Sequence, residues 1–368
     1  IPIISLVLGT VSGVSALAAG LSDFVILGSE HGQMFMRSPY FIPEVINGEI
    51  DEDTLGGAES HASRSGVACL VAEDEHDAIN IAAGMSATGK KVYIYFMAAW
   101  VARCFEQIRY SCAMGENPIT ILGNGVALGY TPAGPAHNPT EDLGYMRSIC
   151  GIEIYSPCNN QITEQLVHLT CDDPKLRYIR LERRNVPSLQ NLYPEQQVNR
   201  DFVKSGVSMV KSGLADPPIL STPRVCIISS GYMLGRVCQV WENLISNGHQ
   251  ASVVDLWKIK PTNPELIKII LKEYDCIVTV EEQFLSSGFG SAVLETLSDA
   301  NLTMKTLRLG LPDKYIFENG SRDYLIDNNG LSCDDIYQKK QESRNYQTPL
   351  KYLVILVILI CPQLFSFI

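Results

Sequence analysis

The sequence predicts an α/β protein with parallel or mixed sheets covered by helices, and three observations predict it. From about residue 67, short β-branched runs alternate with stretches of helical period, and the runs are apolar almost throughout, as strands buried on both faces are. A second series of the same kind follows a polar, Pro-containing stretch that runs from about 184 to 223. The composition allows a large core, because 46% of the 368 residues are hydrophobic and 19% are charged, against about a quarter charged in ordinary domains.

In chain order, Ile1 to Leu8 reads as a buried strand cut from a longer chain, with no basic residues ahead of it as in a secretory signal. Strands are expected over 67–71, 92–97, 118–122 and 178–181, and helices near 76–88, 100–114, 139–150 and 160–171. The third helix has a marked start: Asn138 as N-cap, Pro139 at the first helical position and Glu141 three residues after the cap. The polar stretch reads as a linker, and strands begin again at Arg224, Ala251, Cys276 and Met304. The end, 343–368, is apolar and uncharged beyond Lys351. It reads either as a membrane anchor or as an extension foreign to the fold, and its length favours the second.

With 29 Lys and Arg against 40 Asp and Glu, the net charge of −11 argues against a nucleic-acid partner. The eleven Cys are odd in number and no two have CxxC spacing, so neither a disulfide scaffold nor a metal site made by protein ligands alone is expected. A reducing, cytoplasmic setting fits.

Residues 78 to 340 resemble the C-terminal half of transketolase. The resemblance is carried by Ile81-Ala82-Ala83-Gly84-Met85, Phe105-Glu106-Gln107-Ile108-Arg109, Gly134-Pro135-Ala136-His137-Asn138-Pro139 with Glu141-Asp142, and later Val280-Glu281-Glu282-Gln283 and Gly288-Phe289-Gly290-Ser291. Residues 1 to about 78 are similar instead to part of the carboxyltransferase component of biotin-dependent acyl-CoA carboxylases, a crotonase-like fold, through Ser22-Asp23-Phe24-Val25, Gly56-Gly57-Ala58-Glu59-Ser60-His61 and Ser65-Gly66-Val67. The resemblances imply a chimeric chain of five parts. These are a carboxyltransferase-like fragment (1–78), a pyrimidine-binding domain of the thiamin-diphosphate enzymes lacking its start (79–184), a linker (185–223), a transketolase C-terminal-like domain (224–342) and the hydrophobic tail (343–368).

The transketolase resemblance implies transfer of a two-carbon ketol unit between sugar phosphates, with thiamin diphosphate as cofactor. Mg²⁺ and the cofactor's diphosphate would be held mainly by a diphosphate-binding N-terminal subunit, so a dimer or hetero-oligomer is expected. It places the carboxyl that activates the aminopyrimidine at Glu75, six residues before Ile81, where an apolar site would let it share a proton. The stacking aromatic falls at Trp100, with Phe96 as second choice. His137 falls on the loop His that contacts the sugar and moves a proton, and Arg183 on the Arg that binds the sugar phosphate.

Each position has a plainer reading. Glu75 also fits a solvated acidic helix start, Trp100 a core aromatic, His137 a surface loop residue, and Arg183 a solvated strand end beside Arg180 and Arg184. Two rival functions stand beside the first: binding of CoA esters by the N-terminal segment, whose turn at Gly13-Val14 falls where an oxyanion-holding Gly pair would be, and an inactive chimera.

Overall fold

The computed structural model describes residues 4–7, 9–37, 51–183, 189–190, 192–194, 197–216, 219 and 222–342. The tail expected over 343–368 lies outside the described residues.

Two small parallel sheets open the chain. β1 (Ile4–Val7), β3 (Phe24–Gly28) and β5 (Leu70–Ala72) form one in the order β1-β3-β5; β2 (Thr10–Ser12) and β4 (Gln33–Phe35) form the other. Successive residues of β3 face opposite ways. Val25 and Leu27 enter a small core with Ala16 and Met34, whereas Ile26 joins Ile94 and Ile121 in the main core. The expected strand at 67–71 starts late because Ala68 folds back on His61, its N–H donating to that carbonyl at 3.2 Å.

The central sheet contains β6 (Val92–Met97), β7 (Ile119–Asn124), β8 (Glu153–Tyr155) and β9 (Arg177–Leu181), all parallel, in the order β8-β9-β7-β6. Helices Glu75–Ala87 and Asn160–Asp172 form as expected, each opened by an Asx cap: Asp74 accepts from Asp77 N, and Asn159 from Ile162 N. β1 packs against β6, so the N-terminal unit continues the central layer.

The expected helix at 100–114 is broken into a 3₁₀ segment, Ala98–Cys104, a short α-turn, Phe105–Gln107, and a π-turn, Ile108–Met114. Side chains compete for its early carbonyls: Tyr145 donates to Ala98 O at 3.4 Å, and a His76 ring nitrogen bonds Arg103 O at 2.8 Å. The expectation for Asn138 needs correction as well. Its side chain caps nothing, and the helix runs only over Asp142–Arg147 with Glu141 before it. The carbonyl of Thr140 is drawn instead to Phe284 N, 3.3 Å away on another strand, which pulls 138–141 out of helical geometry.

The third layer is the sheet β10 (Val207–Lys211), β11 (Arg224–Ser229), β12 (Gln250–Leu256), β14 (Cys276–Phe284) and β15 (Lys305–Leu311), in the order β10-β12-β11-β14-β15. The stretch read as a linker is therefore not featureless: helix Arg200–Ser205 and β10 lie in it, and β10 pairs antiparallel with β12. β13 (Lys258–Lys260) leaves this sheet and pairs antiparallel with β8 of the central one. The two sheets are thereby stitched, and their interface is filled by Trp257, which is fully buried and donates from Nε1 to Val203 O at 2.9 Å.

Candidate active site

Parallel sheets present functional groups in the crevice beyond the carboxyl ends of their strands. Here β6, β7 and β9 end level, with Met97 beside Asn124 and Asn124 beside Leu181. The segments that leave those ends carry Trp100, His137 and Arg183.

Glu75 heads the helix Glu75–Ala87, directly after its cap Asp74. Its carboxylate is 17% exposed and accepts from Arg103 Nη1 at 3.0 Å, while the Arg103 side chain is 60% exposed. Trp100, on the same 3₁₀ segment as Arg103, is half-buried. The Arg103 guanidinium lies 5.7 Å from its ring centroid, and Gly9 sits so near that a Cβ there would be 3.4 Å from Cζ3. Phe96 is withdrawn from this role. At 2% exposure it shares the inward face of β6 with Val92 and Ile94, and period-two alternation leaves its ring no free face.

His137 ends the short turn Pro135–His137, which Gly134 opens at φ 80°, a value that favours glycine. Its Nδ1 is buried and has no hydrogen-bond partner among the described residues. The Ala98–Cys104 segment packs against both this turn and the helix of Glu75, so Glu75, Trp100 and His137 sit on neighbouring elements. An open cleft of about 340 Å³ lies beside them, lined by Ala99, Ala102, Pro135, Asn138, Glu141 and Tyr315.

Arg183 stands apart, two strands along from β6. Its guanidinium lies 4.5 Å from the centroid of Tyr130, whose hydroxyl accepts from Asn124 Nδ2 at 3.1 Å.

Residues that sequence reasoning missed hold this edge in place. Arg180, which the plainer reading placed in a solvated strand end with Arg183 and Arg184, is instead buried and pairs with Asp142 through Nε to Oδ2 at 2.7 Å and Nη2 to Oδ1 at 3.1 Å. Burial opposes the Arg180 charge, but Asp142 outweighs it and raises the guanidinium pKa. Glu281 is 2% exposed and accepts from Phe289 N at 2.6 Å and Gly290 N at 2.8 Å, capping the helix Phe289–Asp299. Burial pushes its carboxyl up to about 7. The available signal was a charged pair, Glu281-Glu282, inside an otherwise apolar strand, since buried charges need partners.

On the N-terminal segment, Gly13 has φ 63°, but its N–H already donates to Phe35 O at 2.9 Å and is not available to an oxyanion. No group of three or more His, Cys, Asp or Glu that could hold a metal occurs among the described residues. Nor is any described helix long and apolar enough to cross a membrane.

Fold and crevice together define a layered α/β protein with an open cleft beside the ends of its parallel strands. The family "Transketolase, pyrimidine binding domain" matches residues 51–188, "Transketolase, C-terminal domain" matches 219–336, and "Carboxyl transferase domain" matches 1–89. One relative, an apulose-4-phosphate transketolase subunit of Phocaeicola vulgatus, is 30% identical over 76% of this chain and 85% of its own length. The chain belongs to the transketolase family. It is also similar to 1-deoxy-D-xylulose-5-phosphate synthases, 27% identical in Gloeobacter violaceus and 25% in Aquifex aeolicus, over 73% and 71% of this chain but only 40% and 39% of those longer proteins. A solved split-gene transketolase, in an inactive β4 tetramer, shares the fold with a TM-score of 0.65 at 24% identity, covering 80% of this chain and 90% of that one.

Proposed function

We propose that this chain is the half of a split transketolase-type enzyme that carries the pyrimidine-binding and C-terminal domains. With a partner bringing the diphosphate-binding domain, it transfers a two-carbon ketol unit between sugar phosphates in the cytoplasm, using thiamin diphosphate and Mg²⁺. The observation that carries this reading is Glu75: a carboxylate only 17% exposed, at the head of a helix packed against the segment that bears Trp100.

The residues fit such a cofactor. Glu75 would share a proton with a nitrogen of the aminopyrimidine, after exchanging its bond to the exposed Arg103, a pair of a kind that contributes little. Trp100, half-buried on the segment packed against the Glu75 helix, would offer its ring, and the His137 ring, on the turn that touches the same segment, would hydrogen-bond the sugar and move its proton. The bound cofactor supplies the electron sink for the ketol fragment. Arg183 would take the substrate phosphate with its planar fork, and the metal and diphosphate would lie on the partner.

The test is a titration of the full chain with thiamin diphosphate, Mg²⁺ and a polypeptide carrying the diphosphate-binding domain. Ketol transfer from a phosphorylated ketose to a phosphorylated aldose should appear on mixing and be lost on Glu75→Gln. A complex that forms with no cofactor-dependent transfer would defeat the proposal.

A further inference from the structure

We infer that Arg322, far along the chain in the C-terminal layer, is a positioning residue for the phosphate-binding end of the site. The inference rests on the reading of Arg183 given above. Arg322 opens the short helix Arg322–Ile326 and reaches across the boundary between the two large sheets. Its Nε donates to Glu282 Oε2 at 2.9 Å, and Nη2 donates to the other Glu282 oxygen. On the far side Nη1 donates to Glu182 Oε2 at 2.5 Å and Nη2 to Glu182 Oε1 at 3.3 Å. One face of the guanidinium stacks on Tyr232, 3.9 Å from its centroid, and the Tyr232 hydroxyl is itself anchored on Asp323 Oδ1 at 2.7 Å.

Glu182 stands between Leu181, the last residue of β9, and Arg183. Glu282 belongs to β14 of the other sheet. All three charged side chains are withdrawn from water, with exposures of 14% for Arg322, 13% for Glu182 and 4% for Glu282. A planar fork held by two carboxylates and a ring has one orientation, so it fixes the direction in which the chain leaves β9. Arg183 is then presented over Tyr130, itself held by Asn124. The strut therefore runs from β14 through Arg322 and Glu182 to Arg183, and it tunes phosphate affinity from the C-terminal layer without touching substrate.

Lysine at 322 keeps the charge but cannot hold two carboxylates with a planar fork. Inorganic phosphate is titrated into the full-length chain and followed by ³¹P line broadening, with the melting temperature recorded in parallel. Arg322→Lys is expected to weaken phosphate binding by about tenfold, and Glu182→Gln, which keeps the shape and one acceptor, by less in the same direction. Arg183→Ala should abolish the binding. If Arg183→Ala weakens binding and the Arg322 and Glu182 variants leave it unchanged while lowering the melting temperature, Arg322 is only a structural tie and the inference fails. If Arg183→Ala itself changes nothing, the assignment of phosphate to Arg183 falls, and the positioning role with it. Should Arg322→Lys not fold, Glu182→Gln decides alone.

Discussion

The carboxylate of Asp142 lies 2.7 Å from Nε of Arg180 and 2.9 Å from the hydroxyl of Tyr178, with Asp142 and Tyr178 at 0% exposure and Arg180 at 4%. This pair ties the helix that follows the His137 turn to the strand that ends beside Arg183. Removing one partner leaves a buried charge without compensation, which costs about 3–5 kcal/mol. Asp142→Ala should lower the denaturant midpoint accordingly. The double variant Asp142→Ala with Arg180→Met should recover part of the loss, which a pair of independent contacts would not do.

Asp255, fully buried on β12, accepts from the Tyr193 hydroxyl at 2.9 Å. Burial pushes its carboxyl from 3.8 up to about 7, while hydrogen bonds from Cys158 and Tyr193 pull the other way. The folded chain therefore keeps a proton that the unfolded chain has lost. Its contribution is full below about pH 4 and is lost as pH rises to about 7. Urea unfolding of the wild type and Asp255→Asn across that window should show the variant gaining on the wild type as pH rises. Glu281, also pushed up to about 7 by burial, keeps some slope in the variant.

Glu75→Gln keeps the size and the hydrogen bond to Arg103 but cannot exchange a proton. In the assembled enzyme the rate of ketol transfer should fall by about 10² to 10⁴, the range for a lost general acid–base group. Sedimentation should show the complex with its partner intact. A fall of less than threefold would return Glu75 to its plainer role as part of an acidic helix start.

The borrowed strand β13 makes the central unit dependent on distant sequence. Ser156 N donates to Trp257 O at 2.7 Å, and Lys258 Nζ donates to Glu153 Oε1 at 3.2 Å. A fragment over 51–188 lacks all of this and leaves β8 as an open edge, a template for pairing between chains. We expect it to aggregate on size-exclusion chromatography at concentrations where the full chain does not. A soluble monomeric fragment with protected β8 amides would refute this.

Much of the architecture was legible because its signals are local. The run over 92–97 matches β6, and the caps Asp74 and Asn159 sit before the two long helices they open. The roles proposed for Glu75, Trp100 and His137 rest on motif order, and the three residues fall on elements that pack together. The cap assigned to Asn138 illustrates the limit. Its local pattern is sound, but the Thr140 carbonyl is taken by Phe284, which no window along the chain contains.

By itself the sequence determined where strands and helices alternate, which charges exceed which, and which family the middle and end of the chain follow, since periodicity, caps and motif spacing are properties of neighbours. Only the tertiary structure decided that β13 crosses to the central sheet, that Phe96 faces inward while Trp100 meets Gly9, and that Arg322 joins Glu182 to Glu282. Those contacts join residues up to 140 positions apart. Their strength comes from desolvation and packing, which exist only after the layers have closed.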